Sequence, residues 1–336
     1  MKIFMIGGTG LLGSVSASKL IAQGHEVTSL ALPNIPKDAQ LPKEMTLILK
    51  NFMTISDFEL ESLFVGSDVF IFAAGIDERV EGAPPIYDMF YKYNIAPLER
   101  LLKIVKTANV KHAIIFGSYF SYFNREWKDL DLYKKHPYIR SRVDQANMAL
   151  SFADKNFDVS VLELPYIFGA QEGRKPVWVF LVEQIQKMKL FTFYPNGGTT
   201  MVTVNQVGDL ITSLVHKGNG GRNIPVGFYN LSWKDMLMIF HKYMSLRRSI
   251  ITIPRWLYRL GMKKYSKDYK KRGLESGLDF DGLVDIMTRN AFIDNKNLIR
   301  EFGLKDDDIE TAIAESIRVS LEYIKGKKDM VSMTVK

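Results

Sequence analysis

Cysteine is absent from the 336 residues of the chain, which excludes disulfides, thiolate metal sites and cysteine nucleophiles. The five histidines are scattered and no two have the spacing of metal ligands, so the sequence predicts no metal site. No apolar run is long enough to span a bilayer. Residues 1–5 are apolar but lead straight into a glycine loop, which favours a strand over a signal peptide. A cytoplasmic location is the default expectation.

The positive charge of the chain is unevenly distributed. The formal net charge is +8, and the excess is concentrated in residues 254–273, PRWLYRLGMKKYSKDYKKRG. This stretch is interpreted as a solvated helical face, with an anionic substrate or an acidic membrane surface as the alternatives. No nucleic-acid module accompanies the charge, so no nucleic-acid partner is predicted. A homodimer stays an open alternative.

Short apolar runs alternate with stretches of helical spacing through the first two-thirds of the chain. Strands are predicted at residues 2–7, 25–32, 45–50, 68–75, 112–118 and 159–165. This alternation is typical of an α/β fold with a Rossmann-type, doubly wound parallel sheet covered on both faces. After residue 166 the pattern is irregular, with helices predicted at 233–245 and 306–324. A smaller, discontinuous C-terminal substrate lid is therefore expected.

The stretch KIFMIGGTGLLG places three glycines between the first strand and an amphipathic helix. Gly7 permits a tight turn, Gly10 lets the backbone approach a pyrophosphate, and Gly13 lets the helix pack against the strand. The helix N-terminus offers free N–H groups to phosphate. The sequence therefore predicts a dinucleotide-binding domain over residues 1–165, to which segments near 200–230 return. Residues 166–336 are expected to form mainly a smaller substrate-binding region.

The end of the second predicted strand indicates which dinucleotide is bound. An acid at this position commonly binds the ribose hydroxyls of NAD, but the chain has Ala31 and Leu32 there. Lys37 is the nearest candidate for a 2′-phosphate. The missing carboxylate removes a repulsion against NADP, so NADP is slightly favoured over NAD.

Tyr138 and Arg142 lie four residues apart after Pro137 and share one helical face. A phenol ionises near pH 10, and a fixed positive charge one turn away favours the phenolate. Arginine supplies that charge permanently and can donate to ribose hydroxyls, but it does not readily pass a proton onward. The alternative interpretation is a surface pair with no chemistry.

Three stretches together resemble the extended short-chain dehydrogenase/reductase family, and more narrowly its NAD(P)-dependent epimerase/dehydratase branch. They are GGTGLLG, DVFIFAAG and the helix of Tyr138, within a resemblance that covers residues 2–235. The resemblance implies that the AAG turn lies against the cofactor and that LELPYIFG turns near the nicotinamide. The cofactor-binding residues expected from the loop and from the resemblance are Gly7, Thr9, Gly10, Leu11, Leu12, Gly13, Asn51, Phe52, Ala73, Ala74, Gly75, Asn94, Pro165 and Ile167.

The departures from the family pattern concern residues that carry chemistry. Family members use a tyrosine as acid/base, a lysine four residues on, and a hydroxyl residue on the preceding strand end. Tyr138 matches, and Arg142 replaces the lysine. Ser118 lies at the strand end, whereas an ungapped alignment puts Tyr119 at the hydroxyl position.

The first hypothesis is therefore an NAD(P)-dependent oxidoreductase or epimerase that acts on a hydroxyl or ketone of a small or nucleotide-linked substrate. Tyr138 would move the hydroxyl proton, and Ser118 or Tyr119 would position the oxygen. The alternative is a non-catalytic dinucleotide-binding sensor or scaffold protein. Asp77 and Glu78 follow the fourth strand on a long loop that could overhang the substrate, and a solvated loop is the interpretation preferred for them.

Overall fold

Seven of the strands form one parallel sheet at the centre of the molecule. The structure is a computed structural model that describes residues 1–33, 35, 38–218, 220–326 and 330–331. The strands, in chain order, are β1 (Lys2–Ile6), β2 (Glu26–Ala31), β3 (Thr46–Leu49), β4 (Val69–Phe72), β5 (Glu81–Gly82), β6 (His112–Phe116), β7 (Asp158–Glu163), β8 (Tyr166–Phe168), β9 (Thr192–Pro195), β10 (Gly198–Thr203), β11 (Gly221–Pro225), β12 (Tyr229–Ser232), β13 (Ile250–Ile253), β14 (Glu275–Ser276) and β15 (Asn290–Ala291).

Helices cover the sheet and form most of the remainder of the described chain. They are α1 (Leu11–Ala22), α2 (Asp57–Phe64), α3 (Tyr87–Phe90), α4 (Ala96–Thr107), α5 (Tyr119–Glu126), α6 (Leu132–Lys135), α7 (Pro137–Leu150), α8 (Val179–Lys187), α9 (Val204–Leu214), α10 (Trp233–Tyr243), α11 (Arg255–Lys271), α12 (Phe280–Met287), α13 (Lys296–Phe302) and α14 (Ile309–Ile324). A π-helical turn, Tyr91–Ile95, joins α3 to α4, and a 3₁₀ turn, Lys128–Leu130, follows α5.

The central sheet has the order β11-β7-β6-β4-β1-β2-β3, and all of its strands run parallel. The apolar run of β1 shows why helices lie on both faces, because its successive side chains point to opposite sides. Ile3 and Met5 pack into the cluster that contains α1, α9 and α13. Phe4 and Ile6 pack into the cluster that contains α2, α4 and α7. The predicted Rossmann-type, doubly wound parallel sheet is confirmed.

The residues after β7 contribute to a second, smaller sheet. β10 pairs with β12, β15 and β8, and helices α8, α10 and α14 surround the side chains of this sheet. Phe168 and Trp178 stack within this cluster with their ring centroids 4.2 Å apart. β11 leaves this region and becomes the edge strand of the central sheet beside β7, and α9 packs against α1. The role of the smaller region as a substrate lid stays a prediction.

None of the helices in the described ranges combines the length and the apolar composition that crossing a bilayer requires. A search of the same ranges finds no group of three or more histidine or acidic side chains that could hold a metal ion.

Candidate active site

The glycine loop connects β1 to α1 at the carboxyl edge of the central sheet. Gly7 has a φ of +90°, and a Cβ on it would lie 2.6 Å from the Ala73 carbonyl oxygen. A Cβ on Gly13 would lie 2.2 Å from the Gly7 carbonyl oxygen. These two glycines are therefore required by the packing of the loop itself.

Gly10 differs, because the protein itself does not require glycine there. Its φ is −77°, and a Cβ would contact only the Gly7 carbonyl oxygen, at 3.3 Å. Gly10 is the N-cap of α1, and no side chain caps this helix end. An uncapped helix N-terminus with open space beside its N-cap glycine is suited to bind a phosphate group through the first turn, which begins at Leu11 and Leu12.

Gln171 and Arg174 lie over this loop, although they belong to the part of the chain after residue 166 where the sequence pattern is irregular. Gln171 Nε2 donates to the Thr9 carbonyl oxygen at 3.1 Å and to Ser14 Oγ at 3.2 Å. Arg174 Nη2 donates to the same carbonyl oxygen at 3.1 Å, and its Nε donates to Gln171 Oε1 at 2.9 Å. Burial lowers the pKa of Arg174. A guanidinium beside the positive end of a helix is electrostatically unfavourable unless an anion joins them, so Arg174 fits a diphosphate at this loop.

Tyr138 and Arg142 project from α7 towards the ends of β4 and β6. Arg142 is 7% exposed, and its Nη2 donates to the Phe116 carbonyl oxygen at 2.7 Å. Its buried Nε has no hydrogen-bond partner within the described residues, which leaves a donor for a ligand. The guanidinium carbon lies 5.8 Å from the centre of the Tyr138 ring. The pair is therefore buried beside the sheet edge, and the interpretation as a surface pair is wrong.

Ser118 and Tyr119 occupy different surroundings although they are adjacent in the chain. Ser118 is the N-cap of α5 after β6, and its side chain lies close enough to Tyr138 to lower the pKa of the phenol. The Tyr119 hydroxyl instead pairs with Thr199 Oγ1 on β10 at 3.2 Å. Of the two hydroxyls that the sequence left open, Ser118 is the one in contact with Tyr138.

Burial raises the pKa of Tyr138 to about 12, whereas the Arg142 guanidinium lowers it and the Glu78 carboxylate raises it further. Asp77 also raises the pKa, and the Ser118 side chain lowers it. Tyr138 is only 5% exposed, so its ionisation depends on these four neighbours.

The turn after β4 brings the glycine loop and α7 together. The Ala73 amide donates to the Ile6 carbonyl oxygen at 2.9 Å, and Ala74 follows it towards the site. Gly75 has a φ of +138°, and a Cβ on it would lie 2.7 Å from Asn94 Oδ1 and 3.7 Å from Arg142 Nη1. The turn therefore has no room for a side chain at position 75.

Asn94 is fully buried in the π-helical turn and clamps the chain that leaves β4. Its Oδ1 accepts from the Ile76 amide at 2.7 Å, and its Nδ2 donates to the Ile76 carbonyl oxygen at 3.0 Å. Gln145 of α7 donates to the Asn94 carbonyl oxygen at 2.6 Å. These bonds hold the AAG turn against α7, so Asn94 positions the expected cofactor contacts.

Glu78 lies in the cleft formed by this turn, which differs from the expectation of a solvated loop. Asp77 forms an ion pair with Arg79, but Glu78 interacts electrostatically with Arg142 and Tyr138. Burial raises the pKa of Glu78 to about 7; Asp77 adds to the rise, and Arg79 opposes it. The carboxyl group can therefore gain and lose a proton near neutral pH beside Tyr138.

The remaining expected cofactor residues lie at two further strand ends. Asn51 and Phe52 follow β3, where Asn51 Oδ1 accepts from the Met53 amide at 3.0 Å and the Phe52 ring packs edge-on against Phe72. No carboxylate ends β2 in the described chain, and Lys37 lies outside the described residues. Pro165 joins β7 to β8, in which the Ile167 carbonyl oxygen accepts from Trp178.

The site therefore combines a phosphate-binding loop with a buried tyrosine at the carboxyl edge of a parallel sheet, which defines a dinucleotide-binding protein of the Rossmann class. The model of the NAD dependent epimerase/dehydratase family matches residues 3–216. The chain belongs to this family, which confirms the resemblance and identifies the chain as an enzyme. No curated protein matches the sequence.

Several solved structures share the fold across the whole chain. The protein gox2253 has a TM-score of 0.74 at 16% identity and covers 98% of this chain and 99% of its own. UDP-glucuronic acid 4-epimerase from Bacillus cereus, in complex with NAD, has a TM-score of 0.67 at 12% identity, covering 96% and 99%. TunA, an NAD dependent NDP-hexosamine 5,6-dehydratase involved in tunicamycin biosynthesis, has a TM-score of 0.63 at 16% identity, covering 98% and 99%. At these identities the likeness shows the fold alone.

Proposed function

We propose that the chain is an NAD(P)-dependent epimerase or dehydratase that acts on a hydroxyl or ketone of a nucleotide-linked sugar. The observation that carries this proposal is the contact of Tyr138 with Ser118 and Arg142 beside the AAG turn, which itself packs against the glycine loop. A bound nicotinamide dinucleotide supplies a hydride acceptor and donor, and a positive charge when oxidised. Arg174, the first turn of α1 and the unpaired Nε of Arg142 are the groups that would hold it.

Tyr138 is the group that exchanges a proton with the substrate hydroxyl. As the phenolate it accepts the hydroxyl proton when the carbinol is oxidised, and as the phenol it returns the proton when the ketone is reduced. The Arg142 guanidinium and the Ser118 side chain both lower the pKa of Tyr138 and so stabilise the phenolate. Arginine keeps the charge that the family's lysine provides, so the substitution is compatible with turnover.

Glu78 is proposed as a second proton-transfer group of the site. Its pKa of about 7 and that of Tyr138 of about 12 are well separated, so a carboxylate and a phenol coexist at neutral pH. Dehydration or epimerisation next to a carbonyl needs a base for a carbon-bound proton in addition to the group that serves the hydroxyl. A carboxylate beside Tyr138 meets this requirement.

The substrate class is inferred from the fold neighbours and from charge. Several of them are named for UDP- or NDP-linked sugars, and one is described in complex with UDP-glucuronic acid and NAD. A net charge of +8 favours an anionic substrate of this kind. For the cofactor we expect NADP to bind at least as well as NAD, because β2 ends in Ala31 and Leu32. Dimerisation stays a prediction.

The experiment is turnover of UDP- and dTDP-linked hexoses and hexuronic acids with each dinucleotide, followed by NMR of the sugar. We expect one class of sugar to be converted, and Tyr138→Phe to abolish conversion with cofactor affinity nearly unchanged. Tyr91→Phe is the matched control, because Tyr91 is 45% exposed. Tight dinucleotide binding with no conversion of any sugar would favour the alternative, a non-catalytic sensor or scaffold.

A further inference from the structure

A continuous group of apolar side chains projects into solvent around the start of α11. Leu190 is 78% exposed and Trp256 is 65% exposed. Phe193 on β9 is paired in register with Ile251 on β13, and both are exposed. β13 runs through Pro254 directly into α11, which also contacts β9. The exposed apolar residues of these neighbouring elements are Leu190, Phe191, Phe193, Ile251, Trp256, Leu257 and Leu260.

The second half of α11 carries free positive charge. Lysines at positions 263, 264, 267, 270 and 271 are exposed, and none of them forms an ion pair within the described residues. The arginines at the two ends differ, since Arg255 pairs with Asp285 and Arg272 pairs with Glu81. The lysines are therefore not neutralised by the fold.

The apolar and basic residues lie on one side of the helix. Trp256 and Leu260, followed by the lysines at 263, 264, 267 and 271, have helical spacing, whereas Tyr258 and Tyr269 face the protein. Not one of the 17 residues of α11 is fully buried. At 1.5 Å per residue the helix offers a face about 25 Å long. We name the seven exposed apolar residues and the five lysines together the α11 face.

We propose that the α11 face docks on an anionic phospholipid bilayer, with α11 lying in the surface and not crossing it. Exposed Trp and Leu side chains beside lysines match the two layers of a membrane surface, the acyl boundary and the charged headgroups. Each lysine near such a surface contributes about 1 kcal/mol of attraction, which is about fivefold in affinity.

The composition of the face favours lipid over other occupants. A second copy that used the same face would place two sets of five unneutralised lysines together, which is repulsive. Single-stranded nucleic acid could stack on the three exposed rings of the face, but its four aliphatic side chains, Leu190, Ile251, Leu257 and Leu260, offer a base nothing to stack on. Aliphatic side chains protruding beside lysines are accounted for by an acyl layer beneath phosphate groups.

The face is connected to the candidate active site by one short segment. Arg272, just after α11, bonds to Glu81 on the loop that carries Glu78. Gly277 then packs against Glu78, and its carbonyl oxygen accepts from the Tyr138 amide at 2.8 Å. A bilayer at α11 would therefore lie on the side of the molecule from which this loop reaches the site.

The test is binding of the full chain to phosphatidylcholine vesicles with and without one-third phosphatidylglycerol. We expect binding only to the anionic vesicles, loss of binding at high salt, and a blue shift of tryptophan emission that brominated acyl chains quench. Trp178 and Trp233 are buried, and Trp127 is half-buried against Phe123, so the shift reports the exposed Trp256. Combined Lys263→Glu, Lys264→Glu and Lys267→Glu should weaken binding by at least about a hundredfold. Trp256→Ser should weaken it by about tenfold.

Exposed positions away from α11 provide matched controls. Lys43→Glu with Lys155→Glu changes charge elsewhere, and Phe58→Ser removes a ring that is 82% exposed on α2. The controls should bind as the parent does. The proposal would be overturned if the chain did not bind anionic vesicles, or bound neutral vesicles as tightly. It would also be overturned if the control variants lost as much binding as the α11 variants. A dimer that Trp256→Ser dissociates, with no binding to vesicles, would show instead that the face binds a second copy. Binding to poly-glutamate or to an oligonucleotide without binding to vesicles would also reject the proposal.

Discussion

Replacing Glu78 with glutamine tests the electrostatics of the proposed site. Burial raises the pKa of Glu78 to about 7, the neighbouring Asp77 adds to the rise, and Arg79 and Arg142 oppose it. Glutamine has nearly the same shape as glutamate but cannot ionise. The substitution therefore removes the half-buried charge and leaves the packing of the cleft in place.

The expected gain in stability follows from the size of the pKa shift. A rise from 4.5 to about 7, at 1.36 kcal/mol per unit, corresponds to about 3 kcal/mol. Between these two pH values the folded protein keeps a proton that the unfolded chain has lost. The wild-type protein therefore loses stability as the pH rises from 4.5 to 7, and above pH 7 the loss is complete because both states are ionised. The glutamine variant has no such loss.

Thermal unfolding of the two proteins at acid and alkaline pH measures this difference. We expect equal midpoints at about pH 4 and a midpoint about 5 °C higher for Glu78→Gln at about pH 8. Glu81→Gln is a control of opposite sign on the same loop, because the hydrogen bond from Arg272 lowers the pKa of Glu81. That variant should be less stable than the wild type at neutral pH. The difference should disappear as the pH falls, because the wild type then loses the stability that ionised Glu81 provides. A difference between Glu78→Gln and wild type that does not change with pH would refute the assignment of a buried, ionising Glu78.

Three further predictions concern the cofactor. Gly10→Val should fold normally and lose dinucleotide binding, whereas Gly13→Ala should be strongly destabilised, because its Cβ would lie 2.2 Å from the Gly7 carbonyl oxygen. Calorimetry measures the dinucleotide affinity and thermal unfolding measures the stability. A Gly10→Val variant that binds the dinucleotide as tightly as the wild type would reject the placement of the phosphate at this loop. Arg142→Ala should weaken dinucleotide binding about tenfold and raise the pKa of Tyr138, whereas Arg142→Lys should keep the dinucleotide affinity and the lowered pKa. Tryptophan fluorescence titration measures the affinities. An Arg142→Ala variant with the affinity of the wild type would place the guanidinium away from the ligand. NADP should bind at least as tightly as NAD, with Arg174→Ala weakening both alike; a tenfold preference for NAD, about 1.4 kcal/mol, would show the second strand end to be misinterpreted.

Local patterns predicted six of the seven strands of the central sheet, because those six are specified by their own residues; the edge strand β11 was not predicted. The six predicted strands all occur, and those at 68–75, 112–118 and 159–165 are observed as Val69–Phe72, His112–Phe116 and Asp158–Glu163. The predictions extend too far at the carboxyl ends. There the residues remain small or apolar, but the backbone leaves the sheet to form the turns of the site. The apolar pattern continues past the hydrogen-bonded ladder, so periodicity alone cannot locate where the ladder ends.

Residues that act through distant partners could not be predicted in the same way. Arg174 is 165 positions from the Thr9 carbonyl oxygen that it binds, and nothing in its own neighbourhood indicates a phosphate loop. An ungapped alignment puts Tyr119 at the family's hydroxyl position, yet the Tyr119 hydroxyl pairs with Thr199 of a later strand.

Glu78 shows most clearly why the spacing of residues in the sequence could not predict the whole site. It lies between Asp77 and Arg79, and such a run of charges is ordinarily solvated. Its two neighbours form an ion pair with each other, whereas Glu78 has no such partner in the described part of the chain and interacts electrostatically with Tyr138 and Arg142. The same three residues on an open loop would all have ordinary pKa values. The chemistry of this position is therefore determined by the contacts of its loop with Asn94 and Gly277, which are 16 and more positions away in the sequence.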